Sequence, residues 1–449
     1  MDRPLSRRRA GAYGSLPAGA PATLRSDDAS LRVLIACHSH PQLSKGGAEI
    51  AAYELFSALG KRPKTAAWFL GCMRNDLNHK LGATISQPFS EREYLYAAGA
   101  FDWFKFSNAD PRFPTEFRAL LETLRPDILH FHHYLNFGVE AFLHVRETLP
   151  NCKIILTLHE YLALCHHFGQ MVTKQSRTLC YESSPMLCGR CFQDIAPSDF
   201  FLRKLYIQRF FDLVDHFVAP SEFLAERYVE WGLPRERISV IENVIAQPIL
   251  NRPAAGPRTS GDLLRVGFFG QISLLKGINI LIEAAEILEQ REVHNVVFEI
   301  YGDYSGQPPE FQADFLARLS KVGRNVKFHG PYDQQRVDKL MQSVDLVLTP
   351  SIWWENSPVV IQEALRNRRP VICSDIGGMA EKIRDGVDGF HFPVGNSVAL
   401  ASLVLRIAGS PGKLDDIERT MRSAPAVEEI THRYAQLYES LLHNVTAGC

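Results

Sequence analysis

From residue 32 the chain alternates short apolar runs with helical patterns, and it does so in two separate series. In the first, "RVLIAC" (32–37), "TAAWFLGC" (65–72), "DILHFHH" (127–133) and "KIILTLH" (153–159) read as strands, and "GAEIAAYELFSALG" (47–60) reads as a helix. "HFVAPSEFLAERYVEWG" (216–232) carries a strand, an N-cap at Ser221, a helix and a glycine stop at Gly232, and "RISVIENV" (237–244) closes the series. The strands are short, rich in β-branched and aromatic residues and apolar on both faces, the pattern of a parallel sheet covered by helices. The second series repeats it with "LLRVGFFG" (263–270), "NVVFEIYGD" (295–303), "NVKFHG" (325–330), "DLVLTPS" (345–351) and "PVICSD" (370–375). Between the two lie Pro248, Pro253, Gly256, Pro257 and Gly261, a density that suits a linker at 246–262. The expectation is two consecutive parallel α/β domains, 31–245 and 263–410, followed by helices in 411–449 that pack back on the first domain. The segment "EEITHRYAQLYESLL" (428–442) is amphipathic.

Composition narrows the function classes. A chain of 449 residues is too long for one compact core. Lys plus Arg (49) nearly balance Asp plus Glu (50), so global charge points to no nucleic-acid partner. Nine scattered cysteines suit reduced thiols in a cytoplasm. No apolar run reaches the roughly 18–20 residues of a membrane span. Residues 1–30 are basic without an apolar core, so a disordered leader is expected there.

Open parallel sheets bind ligands beyond the carboxyl ends of their strands. Glu355 follows one such end. Ser357 reads as an N-cap and Pro358 as the first helical residue, which puts Glu363 in the second turn. Between the acids lie the unpaired amides of Val359 and Val360, an anion site at a helix start. One carboxylate is then free for sugar hydroxyls and the other for a ribose. From the pair alone, a capped helix with an exposed acid on each flank weighs as much. Other strand ends change the balance. "GQISLLKG" (270–277) brings Lys276 to a helix start, where an ammonium balances a diphosphate. "SDIGGMAEKI" (374–383) carries Gly377 and Gly378, and "SKGGAE" (44–49) carries Gly46 and Gly47, both at strand-to-helix turns. Neither GxGxxG nor GxxxxGK[ST] occurs, which argues against a dehydrogenase and a P-loop NTPase.

With "GGAE" (46–49), "LTLHEY" (156–161), "VAPSEF" (218–223), "ENV" (242–244), "GQISLLKG", the Glu355/Glu363 pair and the glycines at 377–378 in order, the chain resembles glycosyltransferase family 4. The resemblance runs from about residue 32 to the C-terminal helix. It implies the GT-B architecture of two facing Rossmann-like domains and retaining transfer from a UDP- or GDP-linked sugar to a glycan or lipid-linked acceptor. It further implies that Glu363 binds the donor ribose, that Glu355 faces the sugar and that Lys276 meets the diphosphate. Gly46 and Gly47 would let their loop close over the donor, and His159 would present its backbone or ring to the sugar. One position departs: many members carry arginine where this chain has Gln271, so phosphate neutralisation rests on Lys276, on the helix start or on an arginine from elsewhere.

The transition state expected of such a reaction is oxocarbenium-like, with negative charge growing on the diphosphate. No D-x-D sequence occurs, and no metal or other cofactor is expected for catalysis. Two other readings stay open: a nucleotide-sugar 2-epimerase, which needs no acceptor, and a non-catalytic partner subunit, for which Gln271 is the only support.

Three weaker constellations remain. In "HFHHY" (130–134), adjacent histidines on a strand point to opposite faces, so a structural role is favoured for His132 over contact with the acceptor. The aromatic stretch 93–108, which lacks clean periodicity, and the basic, aromatic helix 199–211 are compatible with a peripheral contact to an anionic membrane face, with packing equally favoured for the stretch and slightly favoured for the helix. Finally, Cys188 and Cys191 form a C-x2-C with Cys165 and Cys180 upstream, a spacing that accepts a structural zinc and would order a long loop.

Overall fold

The structure is a computed structural model and describes residues 29–44, 46–74, 83–245, 258–259 and 261–443. The expected leader lies outside the described residues apart from its last two positions. The expected linker lies outside them apart from 258, 259, 261 and 262.

Two sheets organise the chain. The first runs Ile238–Val240, His216–Ala219, Lys153–Thr157, Ile128–Phe131, Leu31–Ala36, Thr65–Arg74, Glu93–Ala98, Ile85–Ser90 across its width, all parallel but the last, which pairs antiparallel with Glu93–Ala98. The second runs Val326–Gly330, Val296–Tyr301, Leu264–Phe269, Leu346–Thr349, Val371–Ser374, Gly389–Phe392 and is wholly parallel. Central strands such as Ile128–Phe131 and Leu346–Thr349 are buried at every position, as strands covered on both faces must be. Helices such as Gly47–Gly60 and Ile278–Gln290 return the chain between strands.

Three differences from the sequence reading have local causes. Ile85–Ser90 is an exposed edge strand containing Pro88, so it carries no apolar run. Gly389–Phe392 is only four residues long, and its glycine packs against Val371, where a Cβ would meet the Val371 carbonyl at 2.0 Å. The aromatic stretch 93–108 is mostly internal: it supplies a sheet strand and the small Phe101–Asp102/Ser107–Asn108 hairpin. Tyr96 and Phe106 are buried there, and Trp103 is the exposed ring.

The last helix, Val427–His443, crosses back to the first domain. Its Ile430, Tyr434 and Tyr438 pack on Val33, Ile35 and Ile155 beneath the first sheet. The Tyr438 hydroxyl lies 2.7 Å from His130 Nδ1, whose other ring nitrogen meets Thr157 Oγ1 at 2.7 Å. Helix Pro411–Thr420 instead stays with the second domain, where Leu414 and Ile417 join its core and Asp415 and Glu418 hold Arg258.

Candidate active site

The carboxyl ends of both sheets open into one cleft. Two cavities of about 310 Å³ each adjoin there and share Gly47, Glu355, Ser357 and Val359. His38, His133, His159, Asn243, Gly270 and Tyr332 line them within three residues of a strand end, as parallel sheets require.

On the second-domain side, Lys276 Nζ lies 2.6 Å from Glu355 Oε1. The same oxygen accepts from Ser351 Oγ at 2.9 Å and from the Trp353 indole at 2.8 Å. All three donors fall on Oε1, which leaves Oε2 with capacity for a ligand. Helix Val359–Arg366 starts beside this pair, and its first two residues line the cavity with Lys276, Gln271 and Glu363. The amides of a helix start have no intrahelical acceptor, so Val359 and Val360 offer theirs outward. Glu363 is 3% exposed and accepts from the Gln334 amide. Burial pushes its carboxyl up to about 6 against the pull of Arg366 and Gln334. Phe269 and Tyr332, edge to face at 5.9 Å, complete this half.

Ser357 is not the helix cap. Pro358 occupies the cap position, and the Ser357 hydroxyl donates to Glu242 of the first domain at 2.7 Å. Gly377 and Gly378 meet backbone rather than cavity. A Cβ on Gly378 would fall 1.6 Å from the Asn356 carbonyl, and the Gly378 amide donates to the Glu355 carbonyl at 2.9 Å. The glycine pair therefore makes room for the chain that carries Glu355. Gly47 has a comparable role across the cleft, since its Cβ would lie 3.1 Å from Val359 Cγ2. Gly46 caps helix Gly47–Gly60.

The first-domain side is built of titratable groups. His159 is hydrogen-bonded through Nε2 to His132 Nδ1 at 3.0 Å, and its carbonyl accepts from the Asn356 side chain at 2.6 Å. Burial, with His38 nearby, depresses the His159 pKa to about 3, so its ring is neutral. His132 is buried behind it and braces it. His38 pairs with Glu49 at 3.3 Å, and His133 with Glu160 at 3.4 Å. Burial opposes a charged His38, but Cys37 and Glu49 outweigh it and lift its pKa to about 10. Burial pushes Glu160 up to about 8 against the Leu162 amide, His38 and Arg203.

His38, Glu49, Glu160, Trp353, Trp354, Asn356 and Gln334 were not singled out from the sequence. Four of these signals were available: His38, Glu160 and Gln334 each follow a strand end, and Glu49 closes "GGAE".

Beside the cleft, residues 165–191 form an insertion with one short helix, Pro185–Cys191, that buries none of its side chains. Cys165, Cys180, Cys188 and Cys191 are free thiols within it. Among the described residues no three His, Cys, Asp or Glu side chains are arranged to hold a metal ion. The Cys180 and Cys191 sulfurs are engaged instead with the Glu182 carbonyl (3.1 Å) and the Lys174 amide (3.3 Å). A groove of about 1060 Å³ separates the insertion from helices Ile278–Gln290 and Pro309–Leu319, and Gln271 lies where it meets the second-domain cavity.

The sequence matches the family "Glycosyltransferase Family 4" over residues 45–246 and "Glycosyl transferases group 1" over residues 257–423. The chain belongs to the family 4 glycosyltransferases. It is similar to the amylovoran biosynthesis glycosyltransferase AmsK of Erwinia amylovora, with 27% identity over 241 residues, 49% of this chain and 54% of that protein. It is also similar to the lipopolysaccharide 1,2-N-acetylglucosaminetransferase of Salmonella typhimurium, with 28% identity over 182 residues, 39% of this chain and 48% of that protein. The chain thus spans about half the length of these curated relatives. The Anabaena protein HepE in complex with UDP and glucose shares the fold at a TM-score of 0.61, with 17% identity over 91% of this chain and 100% of that one. Sucrose-phosphate synthase of Thermosynechococcus elongatus does so at 0.66, with 16% identity over 92% of this chain and 100% of that one.

Proposed function

We propose that the protein transfers a sugar from a UDP- or GDP-linked donor to a glycan or lipid-linked acceptor, with retention of anomeric configuration. The observation that carries this reading is Glu355, fixed by Lys276 at the junction of the two cavities. The ribose sits against Glu363 and the base against Phe269 and Tyr332. The diphosphate lies between Lys276 and the Val359 and Val360 amides, which meet the charge that grows as the glycosidic bond breaks. The sugar then extends past Glu355 toward His159 and Glu160. This charge handling uses no bound metal ion. The similarity to polysaccharide and lipopolysaccharide glycosyltransferases supports a cell-surface product.

A thermal-shift panel of UDP- and GDP-sugars tests the reading, because a ligand that binds only the folded state raises its melting temperature. Failure of every sugar nucleotide to shift it favours a non-catalytic partner subunit. A donor altered with no acceptor present favours a 2-epimerase.

Two accessory features belong to the proposal. No described helix is long and apolar enough to cross a membrane. Helix Pro197–Phe211 exposes Phe201, Leu202 and Leu205 beside Met186 and Leu187 of the neighbouring helix, which supports a peripheral contact on the cytoplasmic face. The four insertion thiols are read as a structural zinc site apart from the chemistry, one that forms when their side chains turn from their present partners. Arg203, 3% exposed, donates to the Phe104, Ala163 and Leu162 carbonyls and pulls the Cys188 thiol down against the burial that raises it. Well under one zinc per chain in untagged protein contradicts that part alone.

A further inference from the structure

The loop 350–358 carries Glu355 directly after two tryptophans, Trp353 and Trp354, that go opposite ways. Trp353 turns into its own domain, with its indole on Glu355 and the Lys276 ammonium 5.7 Å above its ring. Trp354 leaves that domain. It is 4% exposed and packs within the hydrophobic cluster of the first domain. Its indole N–H donates to the Cys180 carbonyl at 2.9 Å. Its ring meets Tyr181 edge to face at 5.0 Å and lies over Phe223 at 4.8 Å. On the other side of Glu355, Asn356 donates to the His159 carbonyl at 2.6 Å and accepts from Ser221 Oγ at 3.2 Å.

Glu355 is therefore bracketed by two residues anchored in the opposite domain. A short loop held at both neighbours has little freedom left for the residue between them. Of the two anchors, Asn356 grips segments shared with the sheet, whereas Trp354 grips the cysteine-bearing insertion. We propose that Trp354 is a positioning residue and that the Cys180–Tyr181 segment of the insertion, acting through it, sets where the Glu355 carboxylate stands in the cleft. The insertion is then part of the machinery that assembles the site, not a decoration beside it. In its activity arm this inference rests on the glycosyltransferase reading.

Trp354 itself lines the sugar-side cavity, but Tyr181 lines neither cavity of the cleft, so the test starts from Tyr181. Tyr181→Ala removes the ring contact, Tyr181→Phe keeps it, and Trp354→Phe removes the indole donor while keeping an aromatic ring. Hydrogen exchange of residues 353–357, read without any ligand, should quicken in Tyr181→Ala and Trp354→Phe and stay at the wild-type rate in Tyr181→Phe. Turnover of the sugar nucleotide that wild type hydrolyses should fall about two- to tenfold in the first two variants, the size of one aromatic pair or one hydrogen bond. Calorimetric affinity for UDP and GDP should stay within about twofold, because no nucleotide contact is touched. Unchanged exchange at 353–357 overturns the proposal, and so does a loss of UDP and GDP affinity as large as the loss of turnover. If no sugar nucleotide binds wild type, the functional reading fails while the exchange measurement still decides this one.

Discussion

The two walls of the cleft hold charge differently. On the second-domain wall a lysine and a carboxylate touch, and a helix start adds oriented amides. On the first-domain wall burial drives most groups toward neutrality, lowering the His133 and His159 pKa values and raising that of Glu160 to about 8, while Cys37 and Glu49 keep His38 charged. One wall thus presents fixed charge and dipoles suited to a diphosphate. The other, apart from the His38–Glu49 pair, presents uncharged donors and acceptors suited to hydroxyls. The reaction assigned to the cleft needs both, because the leaving group gains negative charge while the sugar and acceptor do not.

The largest effects are expected where this contrast is sharpest. Lys276→Ala removes both the cation proposed to face the diphosphate and the partner of Glu355, and should cost about 1.5–3 kcal/mol in kcat/KM for the donor. Glu355→Gln should lower kcat while leaving UDP or GDP affinity near wild type, since the proposal puts Glu355 on the sugar. An equal loss of nucleotide affinity would move Glu355 to the nucleotide.

A pH profile probes the neutral wall. Glu160 stays protonated, able to donate a hydrogen bond, until pH rises through about 8. Turnover should therefore decline above that point in wild type, and Glu160→Gln, which cannot ionise, should lose that decline. A profile with the same alkaline limb in both proteins would remove Glu160 from the mechanism. The smallest effect expected is that of a chelator: transfer should survive EDTA, because the proposal gives the phosphate charge to Lys276 and the helix amides. Activity lost in EDTA and restored by magnesium or manganese contradicts this.

The contrast also marks what was legible in the sequence. The second-domain wall could be read because its groups sit at fixed spacings after strands whose burial the apolar runs declare, as with Glu355, Glu363 and Lys276. The first-domain wall was read only at Gly46, Gly47 and His159, since the role of Glu160 or His38 comes from burial and from neighbours distant in sequence. Trp354 shows the limit most clearly. A tryptophan in an apolar loop reads as packing, and nothing local says that it packs into the other domain. Ser357 misled for the same reason: its cap-like position was outcompeted by Glu242, 115 residues away.

The central claim is that the second-domain wall grips a nucleoside diphosphate with its ribose on Glu363. Calorimetric titration of UDP and GDP into wild type and Glu363→Ala tests it most directly. The account predicts that one of the two nucleotides binds wild type and that Glu363→Ala weakens it by about 1.5–3 kcal/mol without lowering the melting temperature of the unliganded protein. It also predicts that wild-type affinity falls as the pH drops through about 6, where the buried Glu363 carboxylate takes up a proton. Equal affinity in the two proteins, with no pH dependence near 6, would contradict it.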